Sequence, residues 1–430
     1  MRGMSMRRSR GLVVLLFGLL VAFAITASAS ADPNHVDRHK LLYTTTNDPS
    51  GNHVLVFGQN KDGSLTQLDS VATGGTGGPN PPFGFPIVDS SGSINVADGG
   101  NLVFVVNDGT NTISSFRVEH DGLELVDQVW SGGVLPVSLT SRGHVLYTVN
   151  VRSSNIYGLK FDGHGNLTPL DGQAPSGRPL STAFPTTVSA QIKFTPDGHQ
   201  LVVTERGLPS HTGVIDTFDV GPHQLAGPAQ KNTGVGFVEA NPFGFDFDNK
   251  GNLLVSNAGF ILAPGDDGPP IPQVFDPSQF IGSATAYSID KKSGALTRIG
   301  DVLSGGRAAC WLEVGKDGKY AYVTNTLSDT VPDLFTGIGG VTVYRVGHDG
   351  SLTYQSQANT SGLASTGAPG SPGDMAFSED GKYLYVGVPT ILDGNDSHID
   401  TFRIGKDGNL TKVATVGGLP FSDSGLAAGK

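Results

Sequence analysis

Short apolar runs, each closed by a turn rich in Gly and Asp, recur along the whole sequence. LVFVVN (102–107), LYTVN (146–150), LVVTERG (201–207) and AYVTN (321–325) have strand length and are rich in β-branched and aromatic residues. That pattern predicts β-strands, and no segment carries a sustained helical period. Most of these runs end on Asn, at Asn107, Asn150 and Asn325, whereas LVVTERG ends on the adjacent charges Glu205 and Arg206.

The runs belong to repeats. A turn closing on Leu occurs seven times: DGSL (62–65), DGLEL (121–125), HGNL (164–167), PHQL (222–225), SGAL (293–296), DGSL (349–352) and DGNL (407–410). Strands such as ISSFRV (113–118), IDTFDV (215–220), VTVYRV (341–346) and IDTFRI (399–404) precede it. A second unit, a Gly turn opening a strand, occurs six times, from DGGNLVFVV (98–106) to DGKYLYVG (380–387). Four short strands per unit and seven units predict an all-β, seven-bladed β-propeller with four-stranded blades. The first unit starts at KLLYTTTN and lacks its innermost strand. LPFSDSGLAAGK (419–430) resembles SPGDMAFSEDGK (371–382), which opens blade seven, so the C-terminal segment is expected to complete blade one and close the ring.

The first 31 residues read as a secretory signal peptide. Arg7, Arg8 and Arg10 precede the apolar stretch Leu12–Ile25 and the small-residue site Ala29-Ser30-Ala31. Residues 32–430 are then a single propeller domain of 399 residues, or 57 per blade. Removing four Arg and no acid takes the net charge from −11 to about −15. An acidic surface argues against nucleic acid and anionic membrane as partners. The expectation is a secreted protein, extracellular or periplasmic, monomeric, with no membrane anchor. The lone Cys310, in AACWLEV, reads as a buried thiol, so core burial and not disulfides must supply stability.

Strands are labelled a to d from the axis outward. The a–b and c–d turns share one face and are tight. The b–c and d–a loops share the other, and five of them are long: 73–92, 171–188, 257–282, 326–339 and 389–397. Long loops gathered on one face favour a ligand site there, at the mouth of the central channel. The strand-b ends on that face are Asn47, Asn107, Asn150, Glu205, Asn257, Asn325 and Val388. Asn also bonds its own turn backbone, so a carboxamide ring for ligand and a structural role both stay open. Glu205 breaks the pattern. The catalytic candidates are Glu205 and Arg206; the substrate-binding candidates are Asn107, Asn150, Gln191, Asn257, Asn325, Asp374 and His211. No metal site and no cofactor are assigned: GxSxG, HExxH, P-loop and CxxC motifs are absent. A Ca²⁺ site at Asp266-Asp267 is the minor alternative to a solvated turn.

The repeats, with PVSL (136–139), NPFGFDF (241–247), AACW (308–311) and GLPFSDSGLA (418–427), resemble the seven-bladed lactonase family of 6-phosphogluconolactonase-like proteins and carboxymuconate-lactonising enzymes. The resemblance implies lactone-ring hydrolysis or formation with a His, a Glu and Arg residues at the channel mouth. The family Glu falls on Glu205. The family His falls on Val137, its Arg-His pair on Ala190-Gln191, and another Arg on Ala258. A cation would then come from Arg206, Arg178 or Arg307. The alternative is a non-catalytic propeller that binds a small molecule, glycan or protein.

Overall fold

The computed structural model describes residues 40–78, 88, 90–119, 122–207, 212–233, 241–258, 281–327, 339–361, 371–389, 397–420 and 424–429. All lie in the compact unit Asp37–Lys430. The expected signal segment, His211 and Asp266-Asp267 fall outside the described residues.

The chain is all-β, and its sheets are the seven blades of a propeller. From the inside outward, blade two is Ile94–Ala97, Leu102–Asn107, Thr112–Glu119 and Gly122–Trp130. Blade four is Thr187–Phe194, Gln200–Gly207, Val214–Val220 and Ala226–Asn232. Blade seven is Met375–Phe377, Tyr383–Val388, Ser397–Ile404 and Leu410–Leu419. Neighbouring strands within them are antiparallel. The a–b and c–d turns therefore share one face, and the b–c and d–a connections share the other.

Blade one closes as the sequence predicts. The C-terminal strand Ser424–Ala428 pairs antiparallel with Leu41–Thr45, with Leu42 opposite Ala428 and Tyr43 opposite Ala427. Thr45 Oγ1 donates to the Ser424 carbonyl at 2.7 Å. Leu426 packs with Leu42, Leu55 and Tyr385, which ties blades seven and one together. Burying one such Leu contributes roughly 1.5–3 kcal/mol.

Three blades depart from the four-strand scheme. Blade three has a short outer strand, Leu167–Pro169, and Arg178–Pro179 pairs further along the same edge. Blades five and six share one strand, Leu296–Val314, which is the outer strand of one and the innermost of the other. The chain bends through Gly305 and Ala308, which have φ of 71° and 50°. Glycine adopts that backbone without strain, whereas alanine does so at a cost.

The core lies between blades. Phe104 of blade two meets Phe161 of blade three at 4.8 Å between ring centres, with Leu146 and Tyr157 in the same cluster. Outer strands mix half-buried and exposed residues, as in Leu65–Ala72, because only one of their faces packs on a neighbour.

Candidate functional site

In blades two, three, four and six the strand-b end lies where the blade locks onto the one before it. In blade two, Asn107 Nδ2 donates to Ser114 Oγ at 2.8 Å on strand c, and Thr73 Oγ1 donates to Asn107 Oδ1 at 2.6 Å. Ser114 Oγ in turn donates to the Thr73 carbonyl at 2.7 Å. In blade six, Asn325 Nδ2 donates to Thr342 Oγ1 at 2.8 Å, and Thr342 Oγ1 donates to the Ser304 carbonyl at 2.6 Å. Asn257 Nδ2 donates to Thr285 Oγ1 at 2.9 Å, and Asn150 Nδ2 donates to the Ser131 carbonyl at 3.1 Å. Three of these amides sit under a Gly of the preceding d–a connection: Gly75 over Asn107, Gly133 over Asn150, Gly306 over Asn325. A Cβ at any of the three would lie 2.4–2.7 Å from that Asn. The sequence signal is TGG (73–75), SGG (131–133) and SGG (304–306). The Asn side chains thus point outward along the blade, and all four are buried.

Blade four builds the same joint from acids. Glu205 is 1 % exposed and lies opposite Ser189 and Val214. Its Oε2 accepts from Thr182 Oγ1 at 2.5 Å and Thr187 Oγ1 at 2.6 Å. Asp216, on strand c where blades two and six carry Ser114 and Thr342, accepts from the Ser181 backbone N–H at 2.6 Å. The remaining oxygens, Glu205 Oε1 and Asp216 Oδ1, are buried and accept from no neutral donor among the described residues. The Asp216 carboxyl neighbours that of Glu205, and two buried carboxyls so placed do not both ionise. Burial first, and the Asp216 charge second, push Glu205 up to about 8, against the pull of the two Thr hydroxyls.

Arg206 does not pair with Glu205. Consecutive strand residues face opposite sides of a sheet, and Arg206 lies over the Phe243 ring of blade five at 4.8 Å. Thr204, on the same side, donates to the Phe243 carbonyl. Of the other cations considered, Arg178 is exposed and donates to the Ala226 carbonyl.

The channel has a different occupant at each end. On the loop-bearing face, Val88 and Ser90 to Gly92 lie across the mouth. Trp311 Nε1 of blade six donates to the Ser90 carbonyl at 2.9 Å, and Ser90 Oγ donates to the Val137 carbonyl of blade three. The Ser91 N–H donates to Ala190 of blade four, and the Val88 N–H to Ser424 Oγ of blade one. Only a position on the axis touches the inner strands of four blades at once. The open channel mouth expected on this face is therefore filled by the chain itself.

Deeper in, three successive inner strands bring charges together. Lys193 Nζ donates to Asp246 Oδ1 at 2.7 Å, and Asp246 Oδ2 accepts from the Val314 N–H at 3.0 Å. The Glu313 carboxyl neighbours that of Asp246. Burial dominates at Glu313 and pushes it up to about 8, with Lys193 opposing and Asp246 and Asp374 reinforcing. Burial alone would lower Lys193; Asp246 and Glu313 outweigh it and raise it. Water still reaches a third of the Lys193 side chain, because it stands inside a channel and not inside a sheet.

Gln191 exchanges two hydrogen bonds with the Phe245 backbone, at 3.0 and 2.6 Å, and is a strut between inner strands. Asp374 accepts from the N–H groups of Met375, Leu426 and Gly92, which joins blades seven, one and two; burial first pushes it up to about 6. Cys310 is buried, as expected. Sequence reasoning missed Lys193, Asp246 and Glu313, whose signal is a charge at the penultimate position of three inner strands: IKF (192–194), FDF (245–247) and LEV (312–314). Among the described residues, no group of three or more His, Cys, Asp or Glu side chains is placed to hold a metal ion.

Fold and joints together define a seven-bladed β-propeller. Residues 35–184 match the family described as lactonase, 7-bladed beta-propeller. A protein of Bacteroides fragilis, provisionally described as a 6-phosphogluconolactonase, aligns with a TM-score of 0.61 and 19 % identity, over 92 % of this chain and 99 % of that one. A Bacteroides uniformis protein described in the same way aligns at 0.62 and 19 %, over 89 % and 98 %. The periplasmic gluconolactonase of Pseudomonas aeruginosa aligns at 0.60 and 17 %, over 91 % and 99 %. At these identities the structural likeness speaks for the fold. No curated protein matches the sequence.

Proposed function

We propose that the protein is a secreted hydrolase of lactone rings that works on the loop-bearing face at blade four, with Glu205 and Asp216 as its acid–base pair. The supporting observation comes from blade seven. There Asp400 makes the same joint as Asp216, accepting from the Ser361 N–H at 2.6 Å, with Ser361 and Thr415 hydroxyls on its other oxygen. The strand-b end of blade seven is Val388, so that joint needs no second acid. The Asp216 link to the Ser181 N–H therefore does not require Glu205, which adds a contact to Thr182. Burying one carboxyl against another is costly, and such a group points to chemistry when structure does not require it.

Two carboxyls that share one proton hold a base and an acid together. In ring opening, the ionised oxygen takes a proton from water as the water oxygen bonds to the ring carbonyl carbon. The bond from that carbon to the ring oxygen then breaks, and the ring oxygen takes the shared proton. The products are a carboxylic acid and an alcohol in one molecule, with the pair again holding one proton. Thr182 is half-buried and lies between the pair and solvent, so substrate entry displaces the Ser181–Thr182 segment. The chemistry proposed agrees in class with the names of the proteins similar in fold.

The test is a panel of five- and six-membered lactones with wild type, Glu205→Gln and Asp216→Asn, each checked for native circular dichroism. Wild-type turnover that falls at least about 100-fold in both variants supports the proposal. No turnover by wild type, or equal turnover by all three, refutes it. Absence of wild-type turnover favours the second reading, a non-catalytic ligand-binding propeller, to which the enclosure of Glu205 at 1 % exposure already lends weight; equal turnover by all three places the chemistry at other residues.

A further inference from the structure

The turn-bearing end of the channel opens into a cavity of about 250 Å³ whose lining includes Glu313, Lys316, Met375, Phe377, Leu426 and Ala428. Its walls come from blades six and seven and from the closing C-terminal strand. Lys316 at the rim is exposed and donates to the Glu379 carbonyl. With Val88 and Ser90 to Gly92 across the other mouth, this is the end of the channel that a solute can enter.

We propose that this cavity binds a small primary ammonium compound, with its charged head at Glu313 and its carbon chain on Met375, Phe377 and Leu426.

The charge inventory carries the argument. One lysine, Lys193, faces three carboxyls: Asp246, Glu313 and Asp374. Asp246 is satisfied by Lys193 and the Val314 N–H. Asp374 is satisfied by three backbone N–H groups. Glu313 lines the cavity, no hydrogen-bond donor among the described residues meets its carboxyl, and its neighbour Asp246 is another acid. A donor-rich cation is what that carboxyl lacks, and an ammonium brings three N–H donors. Calcium or magnesium would need a shell of six or more oxygens, which apolar walls and one facing carboxyl do not supply. An anion would meet the acids. The volume lies below the ~300–1,000 Å³ range of drug-sized ligands, which restricts the occupant to a few carbons.

Binding is then linked to proton release. Glu313 holds its proton at neutral pH, and an ammonium head favours the ionised form. Affinity should rise with pH up to about 8 and level off there. The other charges around it are Lys193 from blade four, Asp246 from blade five, Asp374 from blade seven and Lys316 on its own chain segment.

The experiment is isothermal titration calorimetry of the full chain with n-butylammonium, in phosphate and in HEPES at pH 7, with n-butanol and butyrate as controls. Expected are saturable one-to-one binding, release of close to one proton, and no saturable binding of either control. Glu313→Gln, which copies the protonated shape, should weaken binding at least tenfold. Ala428→Leu, which narrows the cavity without touching a charge, should weaken it as well. Absence of wild-type binding, wild-type affinity in either variant, or n-butanol binding as tightly as the amine would each overturn the proposal.

Discussion

Blade six and blade four make the same joint with opposite chemistry. In blade six, the neutral Asn325 bonds Thr342, and the SGG turn at 304–306 lies against the amide. In blade four, Glu205 and Asp216 stand in the corresponding places and hold the Ser181–Thr182 segment. The neutral joint pairs its amide and hydroxyl donors with acceptors and buries no ionisable group, although Asn325 Oδ1 meets no donor among the described residues. The acidic joint buries two neighbouring carboxyls that do not both ionise, so the same linkage acquires a charge state that can change. Position in the fold alone therefore does not separate a strut from a catalytic candidate; the proton inventory does.

The largest effect expected from breaking this comparison is that of Asp216→Ala. It leaves the Ser181 N–H without its acceptor and Glu205 without its partner, for a loss of about 2–4 kcal/mol in urea unfolding. Next, Asn325→Asp should impose an acid on the neutral joint. It removes the donor to Thr342 and should cost about 1–3 kcal/mol at pH 7, part of it recovered on acidification as the new carboxyl takes a proton.

The double change Glu205→Asn with Asp216→Thr rebuilds blade four in the pattern of Asn257 and Thr285 of blade five. Stability at pH 7 should stay within about 1 kcal/mol of wild type while lactone turnover is lost. It should also change the pH dependence of stability. Glu205 keeps its proton in the folded state up to about 8, whereas the ordinary value is 4.5. Its contribution is therefore complete below pH 4.5 and is lost as pH rises to about 8. The double variant should lose about one proton's worth of slope in that window, roughly 1.4 kcal/mol per pH unit. Glu313 acts in the same window and Asp374 up to about 6, so a slope from the channel remains. The smallest effect is Arg206→Lys, which weakens the contact over Phe243 by about 0.5–1 kcal/mol and leaves the pH slope unchanged.

Most of the fold was legible in the sequence because turns and strand ends repeat. Glycine positions such as Gly63, Gly350 and Gly408, each with positive φ, mark c–d turns that few other residues can make. The closing strand was legible because its sequence copies the opening of blade seven. The strand shared by blades five and six was not, since SGGRAA reads as a loop until Ala308 is seen to bend and not to break the pairing. At the candidate site, Glu205 stood out as an exception to Asn. Its partner Asp216 did not, because IDTFDV and IDTFRI carry the same Asp at both acidic joints. Adjacent letters suggested a Glu205–Arg206 pair, and strand geometry sends them to opposite faces. The channel charges were hidden by distance: Lys193 and Asp246 are 53 residues apart, about one blade repeat, and meet only when the ring forms.

The most direct measurement of the central claim is a carboxyl-carbon NMR titration of Glu205 in wild type, assigned with Glu205→Gln and repeated in Asp216→Asn. One proton shared with Asp216 predicts that Glu205 stays protonated through neutral pH and titrates near 8, with a midpoint that falls when the Asp216 charge is removed. A Glu205 midpoint near 4.5 in wild type, unchanged in Asp216→Asn, would contradict it.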